Sequence, residues 1–247
     1  MGTLELTNIT KKFGEQVILD NLNLQVHDGE FVSLLGPSGS GKSTIFHLIG
    51  GIYQADNGTI KLDNEIINGQ RGTISYMPQT ASLFPWRTVL ENVVLGAELH
   101  GKPDKQKAFH MLEKAGLKEY ANAYPRELSG GMQQRVAFVR SLLSPQPFIC
   151  LDEPFSALDE FTRLEMQKWL LSIWEEERPS VLFVTHNIEE AILLSDRVLV
   201  LGEKPANVIK EVTIDFKRPR DEELTLTAEF LTIKREIYQT LRGVIDD

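Results

Sequence analysis

The sequence predicts an α/β fold whose core is a mainly parallel β-sheet. From residue 148 to residue 201, short apolar segments alternate with segments of helical periodicity, and this order is typical of parallel strands covered by helices. Earlier in the chain, the apolar run at 31–35 leads through a glycine-rich loop into a helical pattern at 42–49. A strand, a tight loop and a helix in this order form a further unit of the same kind of sheet.

The composition is that of a folded, acidic protein. Hydrophobic residues make up 42% of the 247 residues, which excludes disorder as the dominant state. The formal net charge of -9 disfavours nucleic acid as a partner, because the chain would repel phosphate. The longest apolar runs have about four residues, whereas a membrane-spanning helix needs about 20. We also expect no secretory signal, since no basic start precedes an apolar stretch near Met1.

Local patterns predict the elements of the first 76 residues. Residues 3–11 and 17–26 alternate apolar and polar positions, as half-buried strands do. The run at 31–35 is apolar and bounded by glycines, which predicts a buried strand. Two more short strands are expected within residues 58–76, divided by the turn-forming residues 68–72.

The pattern becomes helical from Thr88 to about Ser144. Thr88 is a candidate N-cap, and Glu91 follows three residues later, as in a capping box. Two further helices are expected at 105–115 and 130–143. A helical block inserted into a parallel sheet predicts a second lobe within one continuous domain.

Strands and helices then alternate to the end of the sheet. The expected elements are strands at 148–151, 181–185, 198–201 and 208–216 and helices at 160–177, 188–195 and 222–243.

The strongest local signal is the glycine-rich loop after the strand at 31–35. It matches G-x-x-x-x-G-K-[ST], in which glycines turn backbone N–H groups inward around an oligophosphate and the next helix presents its positive end. We expect Lys42 to contact the β- and γ-phosphates and Ser43 to bind Mg²⁺. The alternative is a Gly/Ser turn with a chance lysine, and kinases and GTPases share the loop. The expected ATP-binding residues here are Gly36, Pro37, Ser38, Gly39, Ser40, Gly41, Lys42, Ser43 and Thr44.

Two acids and a histidine follow buried strands farther along the chain. Asp152 would lie at the carboxyl end of its strand, near the phosphate loop, where it suits Mg²⁺. Glu153, one residue further, can take a proton from water that attacks the γ-phosphate. His186 ends another strand at the same edge, where a neutral imidazole can bond the γ-phosphate or orient the water and the glutamate. The alternatives are that either acid only caps a turn and that His186 is a solvated structural residue.

The segment 128–135, Leu-Ser-Gly-Gly-Met-Gln-Gln-Arg, resembles the LSGGQ-type signature of ABC ATPases. Further motifs occur in the family order, and the resemblance covers roughly residues 3–215. It implies a P-loop NTPase fold with a mainly parallel core sheet, an N-terminal antiparallel β subdomain and an inserted helical subdomain. The matching positions are Gln79 in the Q-loop, Asp159 in the D-loop at 156–159, His186 as the switch histidine and Phe13 as the aromatic that stacks on adenine.

The resemblance also implies how these motifs act. Two chains pack head to tail, and each ATP lies between the phosphate loop of one chain and the signature of the other. Ser129, Gly130, Gly131 and Gln133 would therefore contact the ATP of the partner, with Ser129 also capping its own helix. Gln79 joins Ser43 and Asp152 as a Mg²⁺ or water ligand. The catalytic residues implied are Glu153, His186, Lys42 and Gln79.

Core packing of Phe13 and a solvated loop position for Gln79 remain the alternatives. Asn187 follows the histidine where the family more often has aspartate, and Pro78 before Gln79 is less usual. Neither departure removes a group that the expected chemistry needs.

The stretch 83–93 and the segment 217–221 resemble the nitrate/sulfonate/taurine importer group, which includes subunits that import thiamine-pyrimidine precursors. The resemblance implies a peripheral subunit on the cytoplasmic face of the membrane. Permease subunits would hold it near Gln79–Trp86, and a solute-binding protein would act indirectly. Trp86 as ordinary core of the helical lobe is the alternative.

Two other functions remain open at this stage. A soluble ABC ATPase of translation or DNA repair usually has tandem units or a long coiled-coil insertion, and a plain phosphate-loop kinase gives no reason for the signature. The expected organisation is an ATPase domain at 1–215, with helices inserted at about 85–145, and a helical extension at 216–247.

Overall fold

The computed structural model describes residues 2–156 and 158–246. Met1, Asp247 and Ala157, which falls within the expected D-loop, lie outside the described residues. Two β-sheets with helices packed against them make up the described part of the chain. The α/β prediction is therefore confirmed.

The N-terminal sheet is antiparallel and has the strand order β2-β1-β4-β5. Its first two strands alternate buried and more exposed positions at residues 4–6 and 22–26, because one face packs on the core and the other meets solvent. Between these segments, register shifts in the pairing of β1 with β2 interrupt the alternation that the sequence predicts. The strands are β1 (Leu4–Phe13), β2 (Gln16–Val26), β4 (Asn57–Leu62) and β5 (Glu65–Ile66).

The core sheet has the order β10-β9-β3-β8-β7-β6, and only its edge strand β10 runs antiparallel to its neighbour. Every residue of β3, β7 and β8 is buried, which explains their continuous apolar character. The carboxyl ends of the parallel strands form one edge, where the loops of interest lie. The strands are β3 (Phe31–Leu35), β6 (Ser75–Met77), β7 (Phe148–Asp152), β8 (Ser180–Val184), β9 (Arg197–Leu201) and β10 (Val208–Thr213).

The helices fall into a group around the core sheet and a group of their own. The first group consists of α1 (Lys42–Ile49), α6 (Glu160–Glu177), α7 (Ile188–Leu194) and α8 (Ala228–Asp246). The second group consists of α2 (Val89–Val93), α3 (Leu95–His100), α4 (Lys105–Lys114) and α5 (Gly130–Leu142). Residues of α2, α4 and α5 share an apolar cluster to which Ile173 of α6 also contributes.

The capping box predicted at Thr88 is confirmed. The backbone N–H of Glu91 donates to the Thr88 hydroxyl, and the Glu91 carboxylate accepts from the Thr88 N–H at 2.7 Å. The helix that it starts, α2, ends at Val93, and α3 follows from Leu95.

Two other expectations needed correction. The segment 58–76 contributes three strands rather than two, and the third, β6, pairs with β7 in the core sheet. The C-terminal helix begins at Ala228 rather than 222, because a 3₁₀ turn at Glu222–Leu226 precedes it and the Thr227 hydroxyl accepts from the Phe230 N–H at 3.3 Å. No helix in the described residues is both long and apolar enough to cross a membrane.

Candidate functional site

The phosphate loop connects β3 to α1, and its last glycine packs closely against strand β2. Gly41, at the N-cap of α1, has φ of 104°, and a Cβ there would lie 2.9 Å from Cγ2 of Ile18. Only glycine meets both the conformation and the close approach. The end of the loop therefore contacts β2 at Ile18 and Leu19, and it leads directly into the N-terminus of α1.

Lys42 reaches back over this loop. Its Nζ donates to the carbonyl oxygens of Gly36 and Pro37, both at 2.8 Å, and the residue is 8% exposed. Burial lowers the pKa of Lys42, while the carboxylates of Glu153 and Asp152 oppose that shift. A positive charge is therefore held at the centre of the loop, where phosphate oxygens could replace the carbonyls as its partners.

Asp152 lies at the end of β7, at the edge predicted from its sequence pattern. The Tyr76 hydroxyl donates to its Oδ2 at 3.2 Å. Burial raises the pKa of Asp152 and the charge of Glu153 adds to this, whereas hydrogen bonds from Tyr76 and Ser43 oppose it. The ionised carboxylate thus lacks full compensation by positive charge.

The side chains of Ser43, Gln79 and Asp152 have the chemistry to bind a hard divalent cation. Ser43 supplies a hydroxyl, Asp152 a carboxylate and Gln79 an amide oxygen, and oxygen ligands of this kind suit Mg²⁺. A cation beside Asp152 would also compensate the charge that burial leaves costly.

Glu153 stands at the centre of a three-residue cluster. Its Oε2 lies 3.3 Å from Nδ1 of His186 and accepts from Nε2 of Gln79 at 3.3 Å. Its backbone has φ of 45°, a left-handed conformation that costs a non-glycine residue about 1–2 kcal/mol. The structure thus brings together Glu153, His186 and Gln79, three of the four residues that the resemblance implies to be catalytic.

The loop that carries His186 is fixed by its neighbours. The Thr185 hydroxyl donates to Glu190 at 2.5 Å and accepts from the backbone N–H of Asn187 at 3.0 Å. Asn187 caps α7, since its Oδ1 accepts from the N–H groups of Glu189 and Glu190. Asparagine can fill this capping role without the charge of aspartate.

The signature forms the start of α5. Ser129 is the N-cap, and its hydroxyl accepts from the N–H of Met132 at 3.3 Å. A Cβ on Gly130 would meet no atom within 4 Å, so this helix end is open to an approaching group. Asp159 caps the next helix, α6, in the same way through Thr162.

Gln133 has a different environment from the other signature residues. Its amide donates to the carbonyls of Pro125 and Leu128, at 3.0 and 3.3 Å, within its own loop. Met132 stands at the fifth position of the segment, where the LSGGQ pattern has glutamine. The contacts of Gln133 therefore hold the turn before α5.

One cavity of about 480 Å³ joins the phosphate loop to the catalytic edge. None of the described signature residues, Ser129 to Gln133, lines this cavity. Its lining residues are Phe13, Ile18, Ser38, Gly39, Gly41, Lys42, Ser43, Thr44, Gln79, Glu153 and Lys204.

The two aromatic candidates are exposed rather than part of the core. Phe13 is 43% exposed at the end of β1 and packs edge-on against Tyr53 at the margin of the cavity. Trp86 is 69% exposed and lies beside Phe84, with ring centroids 5.1 Å apart. The core alternatives for both residues are wrong.

Sequence reasoning missed three residues at this site. Tyr76 bonds Asp152, and buried Gln134 donates to the backbone carbonyl of Gln79 at 2.9 Å, linking α5 to the Q-loop. Lys204 reaches the cavity from the loop between β9 and β10. Tyr76 and Gln134 stand beside motif residues and could have been considered, but no local pattern marks Lys204.

The chain is similar to known proteins both in sequence and in fold. The profile of the ABC transporter family matches residues 19–156. The chain is 40% identical to the nitrate import ATP-binding protein NrtD of Synechocystis sp., over 97% of this chain and 95% of that protein. It is 38% identical to the aliphatic sulfonates import ATP-binding protein SsuB of Bacillus cereus, over 96% and 95%.

A solved structure gives the same fold. It is described as a dimeric post-hydrolysis state of the ATP-binding cassette MJ0796 bound to ADP and Pi. The TM-score is 0.75 at 35% identity, over 87% of this chain and 100% of that one.

Proposed function

The chain belongs to the ABC transporter family, and from this premise we propose that it is the ATP-hydrolysing subunit of an importer for a small solute of the nitrate/sulfonate/taurine or thiamine-precursor class. The observation that carries the proposal is the Glu153–His186–Gln79 cluster, of which Glu153 and Gln79 line the same cavity as the phosphate loop. The import functions in the names of two relatives support the transport role.

Hydrolysis begins with the γ-phosphate held beside Glu153. Backbone N–H groups of the phosphate loop and the Lys42 ammonium bind the phosphates. Glu153 accepts the proton of the attacking water, which is worth about 10²–10⁴-fold in rate. His186, 3.3 Å from that carboxylate, fixes its orientation and bonds the γ-phosphate oxygens.

Ser43, Gln79 and Asp152 are the residues that would hold Mg²⁺. The ion supplies charge neutralisation at the β- and γ-phosphates. Tyr76 keeps the Asp152 carboxylate in place through its 3.2 Å hydrogen bond, so that one oxygen remains directed at the site.

The complete site takes a second copy of the chain. The partner subunit's Ser129, Gly130 and Gly131 cover the γ-phosphate, because they offer a hydroxyl and an open helix N-terminus. A head-to-tail pair related by a two-fold axis forms two such sites at once. The dimeric state of the MJ0796 cassette supports this arrangement.

Permease subunits dock on the surface between Gln79 and Trp86, where exposed aromatic side chains can serve as anchors. They hold the chain at the cytoplasmic face of the membrane, and a solute-binding protein acts through them. We propose residues 1–215 as the ATPase domain, with helices inserted at about 85–145, and residues 216–247 as a helical extension.

Glu153→Gln tests the catalytic assignment. The amide keeps the size of the side chain but cannot take the proton, so ATP affinity is expected to stay within about twofold while turnover falls about 10²–10⁴-fold. Phosphate release and calorimetric ATP binding measure the two quantities. Glu65→Gln, on the exposed strand β5, is the matched control and keeps full activity. Full turnover in Glu153→Gln would overturn the proposal.

A further inference from the structure

The loop between β9 and β10 is hydrogen-bonded to strand β2, and the end of β9 lies close to the phosphate loop. The N–H of Ala206 donates to the carbonyl of Ile18 at 2.9 Å, and the N–H of Asp20 donates to the carbonyl of Ala206 at 3.3 Å. At the other end, a Cβ on Gly36 would lie 3.0 Å from Cβ of Leu201. The backbone around residues 202–207 is therefore held in place beside the nucleotide cavity.

Lys204 stands at the exposed tip of this loop and lines the cavity. It also borders a second groove along the outer side of the phosphate loop, formed by Pro37 to Ser40 and by Glu203. Among the described side chains, those of residues 2–156 and 158–243, none forms a hydrogen bond or ion pair with the Lys204 ammonium, although Glu203 is its chain neighbour.

The charge balance of the cavity points to a role for this ammonium. Lys42 and Lys204 are the cationic side chains among the described lining residues, and Glu153 is the acidic one. Lys42 already has partners in the loop carbonyls, whereas Lys204 has none in the described chain. A di- or triphosphate carries more negative charge than one lysine can compensate.

We propose that Lys204 is a second phosphate-contacting cation of the nucleotide site. This inference rests on the proposed function, because it takes the ligand of the cavity to be ADP or ATP. The lysine comes from the β9–β10 loop and lines the same cavity as Phe13 and the phosphate-loop residues Gly39 and Gly41. The Lys204 side chain is long and flexible, and its ammonium has three rotatable donors. It can therefore bond phosphate oxygens from several directions.

Charge reversal at this position tests the proposal. Calorimetric titration with ADP is the readout, because binding of a diphosphate reports the contact within one chain. Lys204→Glu should weaken ADP binding about three- to tenfold at low salt, and the loss should shrink at high salt because the ion contact is screened. Lys204→Arg should bind ADP as the unchanged chain does. Lys102→Glu, at an exposed site in the helical group, makes the same charge change and should have no effect.

Three outcomes would overturn the inference. If Lys204→Glu binds ADP normally and ATP-driven pairing of chains is also normal, the lysine is only solvated. If ADP binding is normal but pairing weakens, the lysine meets a carboxylate of the second copy instead. If the unchanged chain and Lys42→Ala bind ADP equally poorly, the proposed function itself fails, and this inference falls with it.

Discussion

The carboxyl group of Asp152 is held in surroundings that disfavour its ionised form. Burial raises its pKa, and neighbouring Glu153 adds to the effect. An acid whose pKa is higher in the folded state binds more protons there, so its ionisation costs folding stability as the pH rises above its unfolded pKa. The ionised form of Asp152 therefore lowers the stability of the fold at neutral pH, and a bound cation would offset that loss.

Asp152→Asn should raise the melting temperature of the nucleotide-free protein at pH 7, because it removes a buried negative charge. The gain should disappear as the pH falls toward the unfolded pKa of aspartate, where Asp152 itself becomes neutral. Thermal unfolding followed by circular dichroism between about pH 4 and about pH 8 checks this. A variant that is less stable at pH 7 than the unchanged chain would contradict it.

Motif residues could be assigned from the sequence because each motif specifies local backbone geometry. The phosphate loop, the acids after β7 and the histidine after β8 all depend on a strand followed by a loop. Tyr76 and Gln134 act through neighbours on other elements, at 3.2 Å from Asp152 and 2.9 Å from the Gln79 carbonyl. Such contacts depend on tertiary packing, which no local pattern encodes.

Helix α7, which follows the switch histidine, is tied at its C-terminal end to the segment after β10. Arg220 is 6% exposed and donates to the carbonyls of Ile192, Ser195 and Ile214, at 2.9, 2.5 and 3.0 Å. Burial lowers the pKa of Arg220 to about 10, so the guanidinium stays charged at neutral pH. Nearby Arg218 lies over the Trp174 ring at 4.2 Å and pairs with Asp196.

Arg220→Ala should lower the free energy of unfolding by about 2–4 kcal/mol, because several buried carbonyls lose their donor. Amide hydrogen exchange in α8 should also become faster, since the segment leading to that helix loses its anchor. Urea denaturation and exchange mass spectrometry measure the two effects.

Arg220→Lys should not restore stability, because an ammonium cannot spread its donors as the guanidinium fork does. Arg235→Ala, at an exposed position of α8, should change stability by about 0.5 kcal/mol at most; an equal effect of both alanine variants would refute the anchoring role.

Most elements were predictable because their periodicity matches their burial. The helices at Lys42–Ile49 and Glu160–Glu177 and the fully buried strands β3, β7 and β8 are examples. Strand β6 was not assigned to the core sheet, since only its pairing with β7 decides which sheet it joins. The break between α2 and α3 also had no marker, because neither proline nor glycine separates Val93 from Leu95.

The exposed aromatic surface around Trp86 is available for contact with another protein, because nothing within the described chain covers it. Trp86→Ala should leave the ATPase activity of the isolated chain unchanged and weaken its association with the permease by about 2 kcal/mol or more, as loss of an aromatic anchor does. Co-purification from membranes and activity assays measure both effects. Leu99→Ala removes a side chain that is 76% exposed in the same helical group and should affect neither. Normal co-purification of Trp86→Ala would place the permease contact elsewhere.

Sharing of each ATP between two chains is the central claim, since the signature residues do not line the cavity that holds the phosphate loop. Sedimentation of Glu153→Gln with and without ATP tests it most directly. ATP should double the mass of this variant, and adding Ser129→Arg should abolish the doubling without changing ADP affinity. Two results together would contradict the claim. The variant would stay monomeric at saturating ATP, and the unchanged protein would hydrolyse ATP as a monomer, at the same rate per chain at every dilution.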